Sequence, residues 1–310
     1  MKLKNFAVVG LFFGMSLGVL LSPQPAIAGQ PIMINNPSDA ACWYSDTAEK
    51  ILRLALEKSI SEYGEPNIQY TRVSLPLSRA MLELQFSDKL DIQAAPAADQ
   101  WPASSIPIPI PVFQGLSGYQ KIYRNNIGPS LSWVDRAEQL RLKTTAMQSG
   151  CGKLLGDLLV RNGLKVRRVS AGASLKSMVE LQRVDLVVSP AIVPAMTTKV
   201  DITHTSQVIA DPKIMLYLPM PIYFYVSQEK PELAKRVALG MQRALQDGSM
   251  DRLLSPLRQQ IIKDLNGRRL ISMKNINAPE NLQITGSALP GLKPEKSQSG
   301  YSQYAHYDKM

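Results

Sequence analysis

The sequence predicts an α/β protein made of two similar halves. Strand-like and helix-like hydrophobic periods alternate from about residue 31 onward, and they form two successive β-α-β runs. A segment with prolines at alternate positions, Ile106–Pro111, separates the two runs. The 310 residues are 45% hydrophobic and 19% charged, which allows two domains and excludes a disordered or fibrous chain.

The first half is predicted from short apolar runs and one amphipathic stripe. Asp46 or Thr47 is expected to cap the first helix, whose apolar residues recur from Ala48 to Ile60 at helical spacing. Ile106–Pro111 is predicted to be an extended connector, because proline cannot donate a hydrogen bond within a central strand. The other predicted elements are the strands Ile32–Ile34, Ile68–Val73 and Leu90–Ala95 and the helix Arg79–Phe86.

The second half repeats the alternation with longer apolar runs. Its predicted strands are Gln120–Arg124, Lys143–Met147, Lys165–Val169 and Asp185–Ser189, and its predicted helices are Trp133–Leu140, Lys153–Arg161 and Leu175–Leu181. Two strands follow, Ile214–Leu218 and Ile222–Val226, and then two helices, one opened by Pro231 and one over Met250–Leu265. Residues 276–310 are poor in periodicity and are predicted to form a flexible tail.

The first 28 residues have the pattern of a secretory signal peptide. Lys2 and Lys4 precede the uncharged apolar run Phe6–Leu21, and Ala26-Ile27-Ala28 supplies a cleavage pattern. An uncleaved membrane anchor is the alternative, but the run is shorter than a membrane-spanning helix requires. No cysteine follows the run directly, so we expect a periplasmic protein without a lipid anchor.

Charge and cysteine usage narrow the functional classes. The formal net charge is +10, but the basic residues are scattered and no basic stripe is interleaved with aromatics, so no nucleic-acid partner is predicted. The chain has two cysteines and two histidines, without the spacing of a zinc site or a C-x-x-C redox motif. No metal and no cofactor are therefore expected.

Three stretches resemble the bilobed periplasmic solute-binding proteins that serve amino-acid ABC transporters. Arg79–Leu84 with Lys89–Ile92 is similar to a helix and strand of the first lobe, and Leu181–Val188 repeats that pattern. Tyr223–Ser227, followed by Pro231–Val237 and Asp247-Gly248-Ser249, is similar to the strand and helix that return the chain to the first lobe.

The resemblance implies a periplasmic binding protein-like II fold, in which two lobes of mixed sheet flanked by helices enclose a ligand cleft. Lobe 1 is then expected at 29–114 and 222–270, lobe 2 at 115–221, and the crossovers at Gly115–Gly118 and Pro219–Pro221. The implied partners are a small solute and an inner-membrane permease or sensor, and a monomer is expected. The arginine with which the family grips amino-acid ligands is missing from the corresponding stretch, Pro96–Trp101.

Candidate ligand-binding residues lie on loops after strands, where ligands of open α/β sheets bind. Aromatic faces can stack on a solute, an arginine at a helix start can bind an anion, and a glycine-rich helix entry offers free backbone N–H groups. Ordinary packing and a surface ion pair are the alternatives for the aromatic residues and the arginine. The candidates are Trp43, Tyr44, Arg79, Tyr119, Gln148, Ser149, Cys151 and Ser189.

Cys42 and Cys151 follow strands of different halves. If the two loops face each other, a disulfide would tether the cleft; two unpaired, partly buried cysteines are the alternative.

These features favour a binding protein without enzymatic activity that captures a small polar or anionic solute for transport or sensing. The alternative is an enzyme on the same scaffold, either dehydratase-like or a cell-wall hydrolase, that uses a carboxylate as general acid. The sequence has no G-x-S-x-G or H-E-x-x-H motif, and it singles out no pair of carboxylates. An interaction module acting through the basic surface or through the tail tyrosines Tyr301, Tyr304 and Tyr307 is a third possibility.

Overall fold

The computed structural model describes residues 30–37, 42–86, 89–97, 105–148, 150–170, 175–193, 207–276, 278 and 289–292. These residues form two β-sheets with helices on both faces. Within these ranges, every helix is too short or too polar to cross a membrane. The predicted signal peptide, 1–28, lies outside the described residues.

The first sheet is mixed and has the strand order β2-β1-β3-β11-β4. Its strands are β1 (Ile32–Ile34), β2 (Ile68–Tyr70), β3 (Ile92–Pro96), β4 (Ser105–Ile108) and β11 (Ile222–Ser227). The first three are parallel, and β11 is antiparallel to both β3 and β4. The proline-rich segment thus supplies an edge strand, where a missing N–H donor is tolerated.

Five helices belong to this sheet, and together with it they are called the first lobe. They are α1 (Ser45–Glu57), α2 (Ile60–Tyr63), α3 (Leu77–Phe86), α6 (Pro231–Gln246) and α7 (Ser249–Leu265). The predicted stripe of α1 is buried, and α1 packs on α6 in the main core. The predicted cap is wrong, because Tyr44 occupies the N-cap position and Asp46 lies in the first turn.

The second sheet has the order β12-β10-β5-β8-β6-β7, with β9 paired to β5. Its strands are β5 (Tyr119–Asn125), β6 (Thr144–Gln148), β7 (Lys165–Val169), β8 (Leu186–Pro190), β9 (Val208–Ala210), β10 (Ile214–Tyr217) and β12 (Arg269–Ser272). The helices α4 (Lys153–Arg161) and α5 (Leu175–Glu180) pack on opposite faces. This sheet and its helices are called the second lobe.

The prediction of a helix over Trp133–Leu140 is wrong. The structure has a 3-10 helix at Ala137–Leu142 instead. The buried side chains here recur at every third residue, namely Leu131, Val134, Ala137 and Leu140. This spacing matches three residues per turn rather than 3.6, so a short 3-10 segment buries the same residues.

The chain crosses between the lobes in three places. Residues 109–118, the first crossover, connect β4 to β5, and residues 218–221, the second crossover, connect β10 to β11. The two crossovers contact each other, because the Ser117 hydroxyl donates to the Met220 carbonyl at 2.7 Å and the Leu218 N–H donates to Gly118 O at 2.9 Å. They are called the hinge below. Residues 266–268 make a third connection, from α7 to β12.

Candidate functional site

The two lobes meet where α1 and α4 begin. Cys42 lies just before α1, and Cys151 lies in the 3-10 turn that enters α4. The two residues form a disulfide with a Cα–Cα distance of 5.5 Å, inside the usual range. The loops that follow β1 and β6 therefore face each other, and a covalent bond joins the lobes there.

Trp43 packs against hydrophobic clusters of both lobes. Its ring centroid lies 5.0 Å from that of Tyr44 and 6.2 Å from that of Phe113 in the first crossover. Aromatic contacts of this kind add to the stabilisation that burial provides. In this arrangement Trp43 fills the space between the lobes beside the disulfide.

Tyr44 is a core residue rather than a stacking surface. Only 1% of it is exposed, and burial, followed by the proximity of Tyr225, raises the pKa of its hydroxyl. The hydroxyl has no hydrogen-bond partner among the described residues. The group therefore stays neutral, and the ordinary packing considered above describes it.

Arg79 has a carboxylate partner on its own helix. Its guanidinium pairs with Glu83 one turn later in α3, and 61% of the arginine side chain is exposed. An exposed pair at this spacing contributes little to stability. The arrangement is the surface ion pair that was the alternative to a ligand contact.

Tyr119 and Ser189 are held within the second sheet. Tyr119 begins β5 and is fully buried, and burial raises the pKa of its hydroxyl. Ser189 is a partly buried residue of β8 opposite Lys121. Gln148 ends β6, but its side chain and the whole of Ser149 lie outside the described residues.

A small pocket of about 50 Å³ lies in the first lobe, between the start of α1, the carboxyl end of β1 and the first residues of β3. Such a volume holds a few non-hydrogen atoms, since a single water needs about 10 to 15 Å³ by this measure. Its polar lining residues are Asn35, Asn36, Ser45, Glu49 and Gln93. None of these was singled out from the sequence.

Hydrogen bonds fix most of this polar lining. The Asn35 amide both donates to and accepts from the Leu75 backbone, at 2.9 Å in each direction. Glu49 Oε1 accepts from Arg53 Nε at 2.9 Å and from the Tyr70 hydroxyl at 2.5 Å.

Gln93 differs from the other lining residues. Its amide donates to Ala94 O at 2.8 Å, whereas its buried Oε1 has no hydrogen-bond partner among the described residues. A buried acceptor without a partner is costly, so this oxygen is suited to receive a donor from a solute.

Titratable side chains do not form a metal site in the described part of the chain. No group of three or more His, Cys, Asp or Glu residues there is placed to hold an ion.

No protein-family model and no curated protein matches the sequence. Solved structures do match. The BvgS VFT2 domain of Bordetella pertussis, as an F375E/Q461E double mutant, has a TM-score of 0.51 at 12% identity over 74% of this chain and 92% of that one. Another structure of the periplasmic VFT2 domain gives 0.51 at 13% identity over 73% and 92%. An ancestral arginine-binding protein bound to arginine gives 0.49 at 14% identity over 73% and 96%.

The predicted fold class is confirmed. Two mixed sheets, helices on both faces of each and crossovers between them form a bilobed fold of the periplasmic binding protein-like II class, and the VFT2 domain has a similar fold.

Proposed function

We propose that the chain is an exported binding protein that encloses a small polar solute between its two lobes and hands it to an inner-membrane permease or reports it to a sensor. The boundaries proposed for the lobes remain 29–114 with 222–270 and 115–221, although β12 extends the second sheet to Ser272. The signal-like segment 1–28 supports export to the periplasm.

The observation that carries this proposal is the pocket beside the interlobe boundary. It lies beyond the carboxyl end of β1, a position where solutes of α/β proteins bind, and beside the first residues of the parallel strand β3. Its volume accommodates one polar group, and the remainder of the solute would lie between the lobes.

Among the described lining residues, Gln93 Oε1 is a buried acceptor without a partner, whereas Glu49 Oε1 already accepts from Arg53 and Tyr70. Arg79 lies outside this lining and is paired with Glu83. This supports a solute with a hydrogen-bond donor, such as an amine, amide or hydroxyl, ahead of a purely anionic one.

Native mass spectrometry of the mature protein purified from the periplasm tests the proposal. We expect a small molecule to be recovered chemically unchanged, and its re-addition should raise the midpoint of thermal unfolding. A solute at 100 times its Kd stabilises a one-site protein by about 2.7 kcal/mol. Release of a converted product would instead favour the enzyme alternative.

A pair of glutamine variants locates the site. Gln93→Met removes the acceptor from the pocket at similar size, so the solute-induced shift should fall. Gln69→Met is the control, because Gln69 is exposed in β2 of the same sheet. Equal shifts in both variants would place the solute elsewhere.

A further inference from the structure

Four residues near the C-terminus, Leu289–Leu292, pack against the hinge. They form a turn in which the Leu292 N–H donates to Leu289 O at 3.2 Å. The Leu292 side chain packs on the main core cluster, which also contains Leu116 of the first crossover. These four residues belong to the segment that sequence composition predicted to be a flexible tail.

Two side chains hold the backbone of this turn. The Tyr119 hydroxyl donates to Pro290 O at 3.0 Å, and Arg258 Nε donates to Gly291 O at 2.7 Å. Arg258 is only 7% exposed and also pairs with Asp251 at 2.6 Å. Charge-assisted donation by a buried arginine is among the stronger hydrogen bonds in proteins.

Gly291 fits tightly against the first crossover. Its φ is +74°, a conformation that favours glycine. A Cβ at this position would overlap the Gln114 carbonyl oxygen and would lie 3.0 Å from Leu116 Cδ2. The turn is therefore seated on crossover backbone, which cannot move aside as a flexible side chain would.

The two hydrogen-bond donors belong to different lobes. Arg258 lies on α7, which packs in the core of the first lobe, whereas Tyr119 begins β5 of the second sheet. The Tyr119 ring also lies 4.7 Å from the ring of Tyr217, the residue that precedes the second crossover. One turn thus contacts both lobes and, through this ring pair, is linked to both crossovers.

We infer that Leu289–Leu292 is an intramolecular clasp that stiffens the hinge and opposes rotation of the lobes. Rotation moves β5 relative to α7, so it must break the contact with Tyr119 or the contact with Arg258. This inference concerns the hinge alone and does not depend on which solute, if any, is bound.

Two glycine variants distinguish the effect of disturbing the clasp from the backbone strain that alanine has at any positive φ. Gly291→Ala adds both the strain and the overlap with the crossover. Gly163→Ala adds only the strain, because Gly163 has φ +86° and nothing within 4 Å of an added Cβ, and it follows α4, outside the three connections between the lobes. Tyr119→Phe is a milder variant that keeps the ring and removes only the donor to Pro290.

Hydrogen exchange of the full-length variants measures the hinge at two amides: Gly118 N–H, which donates to Gly115 O within the first crossover, and Leu218 N–H, which donates to Gly118 O across the two crossovers. In Gly291→Ala and Tyr119→Phe we expect these amides to exchange about fivefold faster, the factor that corresponds to loss of a hydrogen bond worth about 1 kcal/mol. In Gly163→Ala their exchange should be unchanged. Unchanged exchange in both clasp variants, or an equal increase in Gly163→Ala, would overturn the inference.

Small-angle scattering then measures whether the lobes move apart when the hinge is less rigid. The same variants are compared in a Cys42→Ser/Cys151→Ser background, so that the interlobe disulfide does not mask the effect. The clasp variants should have a larger radius of gyration than the Gly163→Ala control. Identical radii would show that the turn stabilises the crossovers without restraining the lobes, which contradicts the proposed role.

Discussion

The disulfide between Cys42 and Cys151 is the single bond with the largest expected effect on stability. It joins residues 109 positions apart, so it strongly restricts the unfolded chain. The chain-entropy model gives about 5 kcal/mol for such a loop, and loss of a native disulfide typically costs about 2 to 5 kcal/mol. Cys42→Ser/Cys151→Ser should therefore lower the free energy of unfolding by that amount, measured by urea denaturation.

Reductant provides the matched control for this prediction. Dithiothreitol should destabilise the wild-type protein to about the level of the double variant and should leave the double variant unchanged. If the urea unfolding curve of the wild-type protein is the same with and without dithiothreitol, the disulfide does not stabilise the fold and the prediction is wrong.

A second residue-scale effect is a pH-dependent ion pair. Arg243 in α6 donates to Glu62 in α2, with one N–O distance of 2.7 Å. Hydrogen bonds from Arg243 and then from Ser61 lower the pKa of Glu62 from 4.5 to about 2. Because the folded pKa is the lower one, the pair stabilises the fold above about pH 4.5, and its contribution is lost as the pH falls toward 2.

Glu62→Gln tests this sign. The variant should unfold at a lower temperature than the wild type at pH 6, and the difference should shrink as the pH is lowered from 4.5 toward 2. The effect should be small, because the pair is exposed. Glu57→Gln is the control, since Glu57 is exposed in α1 and has no ion pair in the described part of the chain. A pH-independent difference would contradict the assignment.

At the scale of elements, the packing of α1 on α6 depends on one glycine. A Cβ on Gly240 of α6 would overlap the carbonyl oxygen of Ala55 in α1. Gly240→Ala should therefore cost about 3 kcal/mol through overpacking, offset by up to about 1 kcal/mol of helix propensity. Urea denaturation measures the net loss.

Gly156→Ala is the comparison for this prediction. Gly156 also lies within a helix, α4, but the nearest atom to its added Cβ is Met147 Cγ, at 3.3 Å. Methionine is flexible and can give way, so this variant should lose much less stability. A larger loss at 156 than at 240 would contradict the close approach of α1 and α6.

The helices and strands also differ in how well the sequence predicts them. The predicted bounds of α4 and β7 match the observed ones. In α4 the buried residues recur at helical spacing, whereas β7 has only the partly buried Val166 and Val169 between exposed residues. The four-residue β12 was missed, since only Ile271 in it is fully buried. The predicted helix over Trp133–Leu140 is wrong because, over so few residues, apolar positions that recur at every third residue resemble the 3.6-residue period of an α-helix.

The candidate site was only partly predictable for a related reason. The cysteine pair could be raised as an open alternative, because the chain has two cysteines and an export signal pattern. Gln93 could not be predicted as a site residue, because it is a candidate only through its buried Oε1, which has no hydrogen-bond partner among the described residues. The clasp could not be predicted either, because its contacts join positions far apart in the sequence: Tyr119 and Pro290 are 171 residues apart, and Arg258 and Gly291 are 33 apart.

For the whole molecule, the disulfide and the hinge restrain the lobes at separate places. Rotation about the crossovers must separate the starts of α1 and α4, which the bond between Cys42 and Cys151 prevents. We therefore expect the oxidised protein to stay compact in solution, and reduction to increase its radius of gyration in small-angle scattering.

The interlobe disulfide should also affect the rate at which the solute binds. If opening admits the solute, the solute recovered from the periplasm should associate faster with the Cys42→Ser/Cys151→Ser protein than with the oxidised wild type, as followed by stopped-flow fluorescence of Trp43 and the other tryptophans. Reductant should bring the wild-type rate to that of the variant, because it removes the same restraint. Equal rates in all three samples would mean that the solute reaches its site without separation of α1 and α4, and the tether would then be structural only.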